Sequence, residues 1–269
     1  MAEGLWTRLA LRIWAALVLL FLFIPIFVIL LYAFNSSKIE AWPIPGLTFR
    51  WINLTVNDTE VVGALVLSVK VALATTALAL VLGSCAAFAI NRASFFGRDA
   101  INLLFVLPLA LPGIITGISL HAFFDFSNIL LSIWTIVIGH TTFCIVVVYN
   151  NVLARLRRSQ GSLVEAAADL GANGLQVFRD ITLPLIATAV VAGAMLAFAL
   201  SFDEVIVTTF TAGAQNTLPI WIFSQLRSGQ RLPEVNVVVS FVILVTIIPV
   251  LIAARLTGGS GTSRVAAAR

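Results

Sequence analysis

Apolar residues run almost unbroken through six stretches of this chain, 13–34, 66–90, 101–124, 133–153, 185–206 and 235–254, and polar residues gather between them. Crossing the ~30 Å hydrocarbon core of a bilayer takes roughly 20 apolar residues as helix. A helix satisfies its own backbone groups, which lipid cannot do. Membrane-spanning strands would alternate apolar and polar positions, and these runs do not. The pattern predicts an all-α integral membrane protein of six transmembrane helices in one domain, 1–269, with a polar segment at 154–184.

Within that frame, proline and glycine mark irregularities. The first run follows Arg8 and Arg12 and continues for about 22 residues, beyond the ~7–15 of a cleaved signal, so it reads as a retained helix kinked at Pro25. Pro108, Pro112, Gly113 and Gly117 predict a third helix that bends and packs closely on a neighbour. The stretch LPIWIFSQL, 218–226, is too short to span; it suits the interface or a short re-entrant helix.

Composition agrees with this reading. Hydrophobic residues make up 60% of the chain, charged ones 10%, and mean hydropathy is +1.07, which excludes an ordinary soluble domain. An even number of spans puts both termini on one side. Eleven of the 16 Lys and Arg residues fall there and five fall opposite, so the termini and the 154–184 segment are expected in the cytoplasm. The net charge of +4 is a topology signal, and no nucleic-acid partner follows from it. Cys85 and Cys144 lie inside expected spans and read as small buried apolar residues.

The periodicity changes in the polar segment. Ser162 is a candidate N-cap, with Glu165 three residues on as in a capping box. Leu163, Ala166, Ala167 and Leu170 follow at helical spacing until Gly171 stops the turn. A second short helix is expected over about 175–181, ahead of Pro184. Small alanines on an exposed ridge would fill a groove on a soluble partner. A capped amphipathic helix lying on the membrane explains Ser162 and Glu165 equally well.

The whole segment has a fixed grammar: Glu165-Ala166-Ala167, three residues, Gly171, nine residues, then Ile181, Leu183 and Pro184. It resembles the coupling motif of permease subunits in type I ATP-binding-cassette importers. LSVKVALATT (67–76), LPGIITGISL (111–120), GHTTFCIVVVYNN (139–151) and AFALSFDEVIVTTF (197–210) look like the second permease of spermidine/putrescine importers, the PotC/PotI type. The resemblance implies a MetI-like permease fold whose cytoplasmic coupling helix docks on an ATPase through Glu165, Ala166, Ala167, Asp169, Leu170 and Gly171. It also implies a second homologous permease as heterodimer partner, two ATP-binding-cassette ATPases and an extracytoplasmic solute-binding protein, all in a bacterial inner membrane.

A phosphate-binding loop needs lysine after glycine, and the only lysines, Lys38 and Lys70, follow Ser37 and Val69. No cofactor is expected on this chain; ATP and Mg belong to the partner ATPase. No H-E-x-x-H, C-x-x-C or G-x-S-x-G occurs, so neither a metal site nor a hydrolase nucleophile is expected.

Acids at the ends of apolar runs are the remaining candidates. At ~1.5 Å per residue, Asp203 stands roughly 30 Å along a helix from Leu183, near the outer end of the fifth span. With Glu204 it forms an acidic station for an incoming polycation, to which Trp221 and neighbouring phenylalanines would add cation–π contact. A solvated helix end, or pairing with Lys70 or Arg227, is the alternative. Asp125, past the third span, is a further acid near the outer mouth or a plain helix cap. His121 and His140 read as hydrogen-bonded packing residues or as proton-linked groups. An importer permease for another cationic or guanidino solute, and an ion-driven secondary transporter, are the competing functions.

Overall fold

The computed structural model describes the backbone at residues 4–92, 97–158 and 161–258, and their side chains except at 5, 99, 161–162 and 248–258. The helices are α1 (Leu5–Tyr32), α2 (Arg50–Val56), α3 (Thr59–Arg92), α4 (Arg98–Ala110), α5 (Gly113–Phe126) and α6 (Ile133–Arg158), followed by α7 (Gly161–Asp169), α8 (Gly174–Gln176), α9 (Leu183–Phe202), α10 (Ile206–Thr211), α11 (Leu218–Ser228) and α12 (Leu232–Gly258). No strand occurs among the described residues, only an isolated bridge between Asn35 and Leu47.

Among the described residues four helical stretches are individually long and apolar enough to cross a membrane: Trp6–Tyr32, Thr59–Arg92, Ile133–Arg158 and Gly174–Phe202. The third expected span is two helices, Ala100–Ala110 and Gly113–Phe126, bent by 100°; only taken together are they long and apolar enough to count as a fifth. The last expected span falls on α12, whose described apolar part, Leu232–Ile247, is shorter. The bend is sharper than a kink for a local reason. Pro112 disfavours helical geometry in the residue before it, and Leu111 is extended at φ −76°, ψ 140°. Gly113 then restarts the helix.

The chain divides into two compact units. In the unit Gly63–Trp221, α6 is the central helix. Of its apolar window 61% is buried, against 0% for that of α1, whose side chains face outward. Lipid is as apolar as leucine, so close backbone approach at small residues has to hold such helices together. A Cβ on Gly193 of α9 would lie 3.3 Å from the Cα of Val148 in α6, so the glycine is what lets α9 settle there. Val148, Tyr149, Val152 and Ile186 fill the core around that crossing. Cys144 is buried, its thiol 3.4 Å from the Ala197 carbonyl. Cys85, by contrast, is exposed on the outer face of α3, which corrects the expectation of burial for that residue.

The other unit joins residues up to Val62 to those from Ile222 onward. Trp51 on α2 is buried with Ala33 and Val237, and its indole N–H donates to the Asn35 carbonyl at 2.6 Å. Asn236 on α12 donates to Glu40 at 2.6 Å. The Arg231 guanidinium binds Asp58, Glu60 and Glu234 together. Burial raises the Asp58 carboxyl, but the Arg231 hydrogen bond and the Glu60 and Val61 amides outweigh it and hold the group below the ordinary carboxylate range. The Glu234 hydrogen bond, with that of Asp58, outweighs burial and raises Arg231.

Candidate functional site

The polar segment folds as a helix, a glycine stop and a newly capped helix. Gly171 sits at φ +83°, a left-handed conformation suited to glycine. The Ala172 amide donates to the Ala167 carbonyl at 3.0 Å and the Gly171 amide to the Ala168 carbonyl at 2.9 Å. These are the paired bonds of a Schellman stop, so the orphan carbonyls of α7 are satisfied where the motif places its glycine. Glu165, Ala166 and Asp169 on α7 are exposed, and Leu170 is 90% exposed.

Two expectations for this segment need correction. α7 already includes Gly161, so Ser162 stands inside its first turn rather than before it, and the Ser162 side chain lies outside the described residues. The reciprocal capping box belongs to Asn173 and Gln176: the Asn173 side chain accepts from the Gln176 amide at 3.0 Å, and the Gln176 side chain accepts from the Asn173 amide at 2.8 Å. The alanine ridge is also split, since Ala167 is only 9% exposed while Ala166 points out. The second short helix forms where expected and runs on into the span without a break. A π-helical turn, Val177–Thr182, carries α8 straight into α9. Pro184, which has no N–H to offer the carbonyl of Asp180, opens α9 just beyond it.

At the other end of α9 the chain turns through an acidic elbow. Asp203 caps the C-terminus of α9 and is exposed, outside the ion pairs formed among the described residues. Glu204 is half-buried, and its carboxylate accepts from the Val207 amide at 3.0 Å, capping α10. Adjacent acids therefore have different occupations: Glu204 holds the fold and Asp203 is open.

The short helix α10 is gripped from two sides. Gly113 and Gly117 of α5 leave it room: a Cβ at Gly117 would stand 2.6 Å from the Phe210 ring. Side chains take up the orphan carbonyls at its end. His121 Nδ1 donates to the Phe210 carbonyl at 2.8 Å, and the Thr135 hydroxyl reaches the Thr211 carbonyl at 2.7 Å. The fully buried His140 bonds Ser201 at 2.8 Å and Thr208 at 2.7 Å.

The other candidates are dispersed. Asp125 is exposed near the end of α5. Trp221 is 1% exposed, so its ring is enclosed by protein. No group of three or more His, Cys, Asp or Glu side chains is placed to hold a metal ion among the described residues. Sequence reasoning missed the separate helix α10, α2 and the Arg231 cluster.

The chain belongs to the family of binding-protein-dependent transport system inner membrane components, whose model matches residues 79–258. It is a multi-pass permease subunit of such a system rather than an enzyme.

Among its relatives is the spermidine/putrescine transport system permease protein PotC of Haemophilus influenzae, 32% identical over 239 residues, covering 88% of this chain and 92% of that protein. The putrescine transport system permease protein PotI of Escherichia coli K12 is 35% identical over 246 residues, covering 86% and 85% respectively. In fold the chain is similar to a bacterial ABC transporter involved in the import of the acidic polysaccharide alginate, with a TM-score of 0.70 at 16% identity over 97% of this chain and 100% of that one.

Proposed function

We propose that this chain forms the membrane path for a polyamine of the spermidine or putrescine type in an ATP-driven importer. The observation that carries this reading is the 32–35% identity, over most of the chain, to permeases named for those solutes. Fold does not choose the cargo, since the same architecture serves an importer of an acidic polysaccharide. An unpaired carboxylate at Asp203 suits an alkylammonium group, which it would meet by a charge-assisted hydrogen bond.

In this reading the whole chain acts as one permease domain with both termini in the cytoplasm. It pairs with a second, related permease and receives solute from an extracytoplasmic binding protein. Two ATPase subunits bind ATP and Mg and grip α7 through Glu165, Ala166 and Leu170, with Gly171 setting where the helix ends. The exposed Leu170 supports that role, because a large apolar side chain standing out of a polar segment gains by being covered. ATP-driven closure of the ATPases moves α7, and α8 passes the motion into α9 because no break intervenes.

The test is uptake by the reconstituted importer with its binding protein. Spermidine or putrescine should accumulate with ATP inside, and excess arginine should not compete. Competition by arginine with no polyamine uptake would replace the polyamine with a guanidino solute. Uptake driven by an ion gradient alone would replace the importer with a secondary transporter.

A further inference from the structure

The hydrogen bonds around His140 run in one direction, and this fixes what the residue does. The Thr208 hydroxyl has a single proton, donated to the Glu204 carbonyl at 2.7 Å. Toward His140 Nε2, at 2.7 Å, Thr208 therefore accepts, and Nε2 carries the proton. The neutral imidazole is left with a lone pair on Nδ1, which accepts from the Ser201 hydroxyl at 2.8 Å. The relay is Ser201 to His140 to Thr208 to the Glu204 backbone. It starts in the last turn of α9, crosses α6 and ends on the far side of the Asp203 turn.

Both arms of the elbow are thus referenced to one side chain on the most buried helix of the unit. Ser201 and Thr208 are themselves buried, so water does not compete for these bonds. Asp203 lies between the two anchored points and makes no side-chain hydrogen bond or ion pair of its own among the described residues. Its direction is inherited from the backbone on either side. A ring of fixed shape sets a separation between two hydroxyls that an apolar residue of similar size cannot hold.

We propose that His140 is the positioning residue of the elbow: by bridging Ser201 and Thr208 it fixes how the Asp203 carboxylate is presented to the solute. This rests on the reading that Asp203 faces the transport path.

The complete importer, reconstituted with its partner permease, ATPases and binding protein, allows two readouts. The first is the labelling rate of Asp203→Cys by a membrane-impermeant maleimide in a Cys85→Ala background, which reports presentation whatever the solute. The second is spermidine or putrescine transported per ATP hydrolysed, a ratio that general loss of folded protein does not change. His140→Leu should alter the labelling rate by about fivefold or more and lower the transport ratio by about tenfold. His140→Gln, which can still accept and donate, should keep both within about twofold of wild type.

Where His140→Leu does not assemble, Thr208→Val breaks the same relay in a shape-matched side chain and should reproduce both effects. An unchanged labelling rate in the assembled variant overturns the positioning role. A changed labelling rate beside a wild-type transport ratio in Asp203→Asn leaves His140 as the positioning residue of the elbow and removes Asp203 from the path.

Discussion

Gly83 of α3 and Ile145 of α6 meet backbone to backbone: a Cβ on the glycine would lie 2.9 Å from the Ile145 carbonyl oxygen. A carbonyl in a buried helix cannot swing aside as a flexible side chain can. Gly83→Ala should therefore push α3 off α6 and destabilise the folded chain by about 1–3 kcal/mol. Gly63 lies on the same helix with open space where its Cβ would be. Gly63→Ala should be neutral or stabilising by up to about 1 kcal/mol from helix propensity alone. Thermal melts of the purified permease in one detergent compare the two, and equal melting points would remove Gly83 as a packing contact.

The capping box at Asn173 and Gln176 restarts the helix that carries motion from α7 into α9. Asn173→Ala removes an acceptor from the Gln176 amide and should cost about 1 kcal/mol. Because the cap lies at the joint between α7 and α9, ATP hydrolysis should continue while transport per ATP falls. Hydrolysis and transport falling in parallel would make the cap a stability feature only.

Glu165 is exposed and makes no hydrogen bond or ion pair among the described residues. Charge reversal in Glu165→Arg should leave the stability of the isolated permease within about 0.5 kcal/mol of wild type, as for ordinary surface changes. Co-purification of the ATPase should nevertheless be lost. Retained ATPase with normal uptake would mean that α7 docks through other residues or not at all.

Much of this architecture is legible in the residues because lipid imposes a length. An apolar run either reaches across the hydrocarbon core or does not, and α1, α3, α6 and α9 do. The break at Leu111–Pro112 was equally readable, because proline disfavours helix in the residue before it, though no sequence pattern records its 100° angle. Ser162 with Glu165 and Asn173 with Gln176 fit the same capping pattern. Only the positive φ at Gly171 reveals that the second pair is at a helix start.

The elbow was visible as two acids, but their separate roles were not. Glu204 caps α10, a helix of six residues whose apolar pattern is too short to detect. The bonds that hold the elbow join His140 to residues 61 and 68 positions away, and no local pattern records such pairings.

The Arg231 cluster joins residues far apart in the chain, 173 positions from Asp58. Arg231→Gln should lower the unfolding free energy at pH 7 by an amount on the order of 1 kcal/mol, read from thermal melts, since the cluster is only partly screened by solvent. The pH dependence follows from Asp58, whose folded-state pKa lies below its unfolded one. Its contribution is present above the unfolded value and disappears as pH falls through the folded one. The gap between wild type and Arg231→Gln should therefore hold from neutrality down to the ordinary carboxylate range, about pH 4, and close below it. A gap that persists under full protonation would assign the loss to packing of the arginine stem instead.

The two acids of the elbow give the most discriminating pair of substitutions. Asp203→Asn keeps shape and removes charge at an exposed position, so assembly should be unaffected. If the carboxylate binds an ammonium group, its loss forfeits a charge-assisted bond of roughly 1.5–3 kcal/mol. At about 1.4 kcal/mol per tenfold, polyamine transport per ATP should fall by at least about tenfold. Glu204→Gln should behave differently, because the amide oxygen still accepts from Val207 and the cap survives. Glu204→Ala loses the bond to the Val207 amide and should lower stability by about 1 kcal/mol, with transport and hydrolysis declining together. Radiolabelled polyamine uptake set against phosphate release separates the cases. A tenfold loss in Glu204→Gln beside wild-type behaviour in Asp203→Asn would exchange their roles and place the solute on the inner acid.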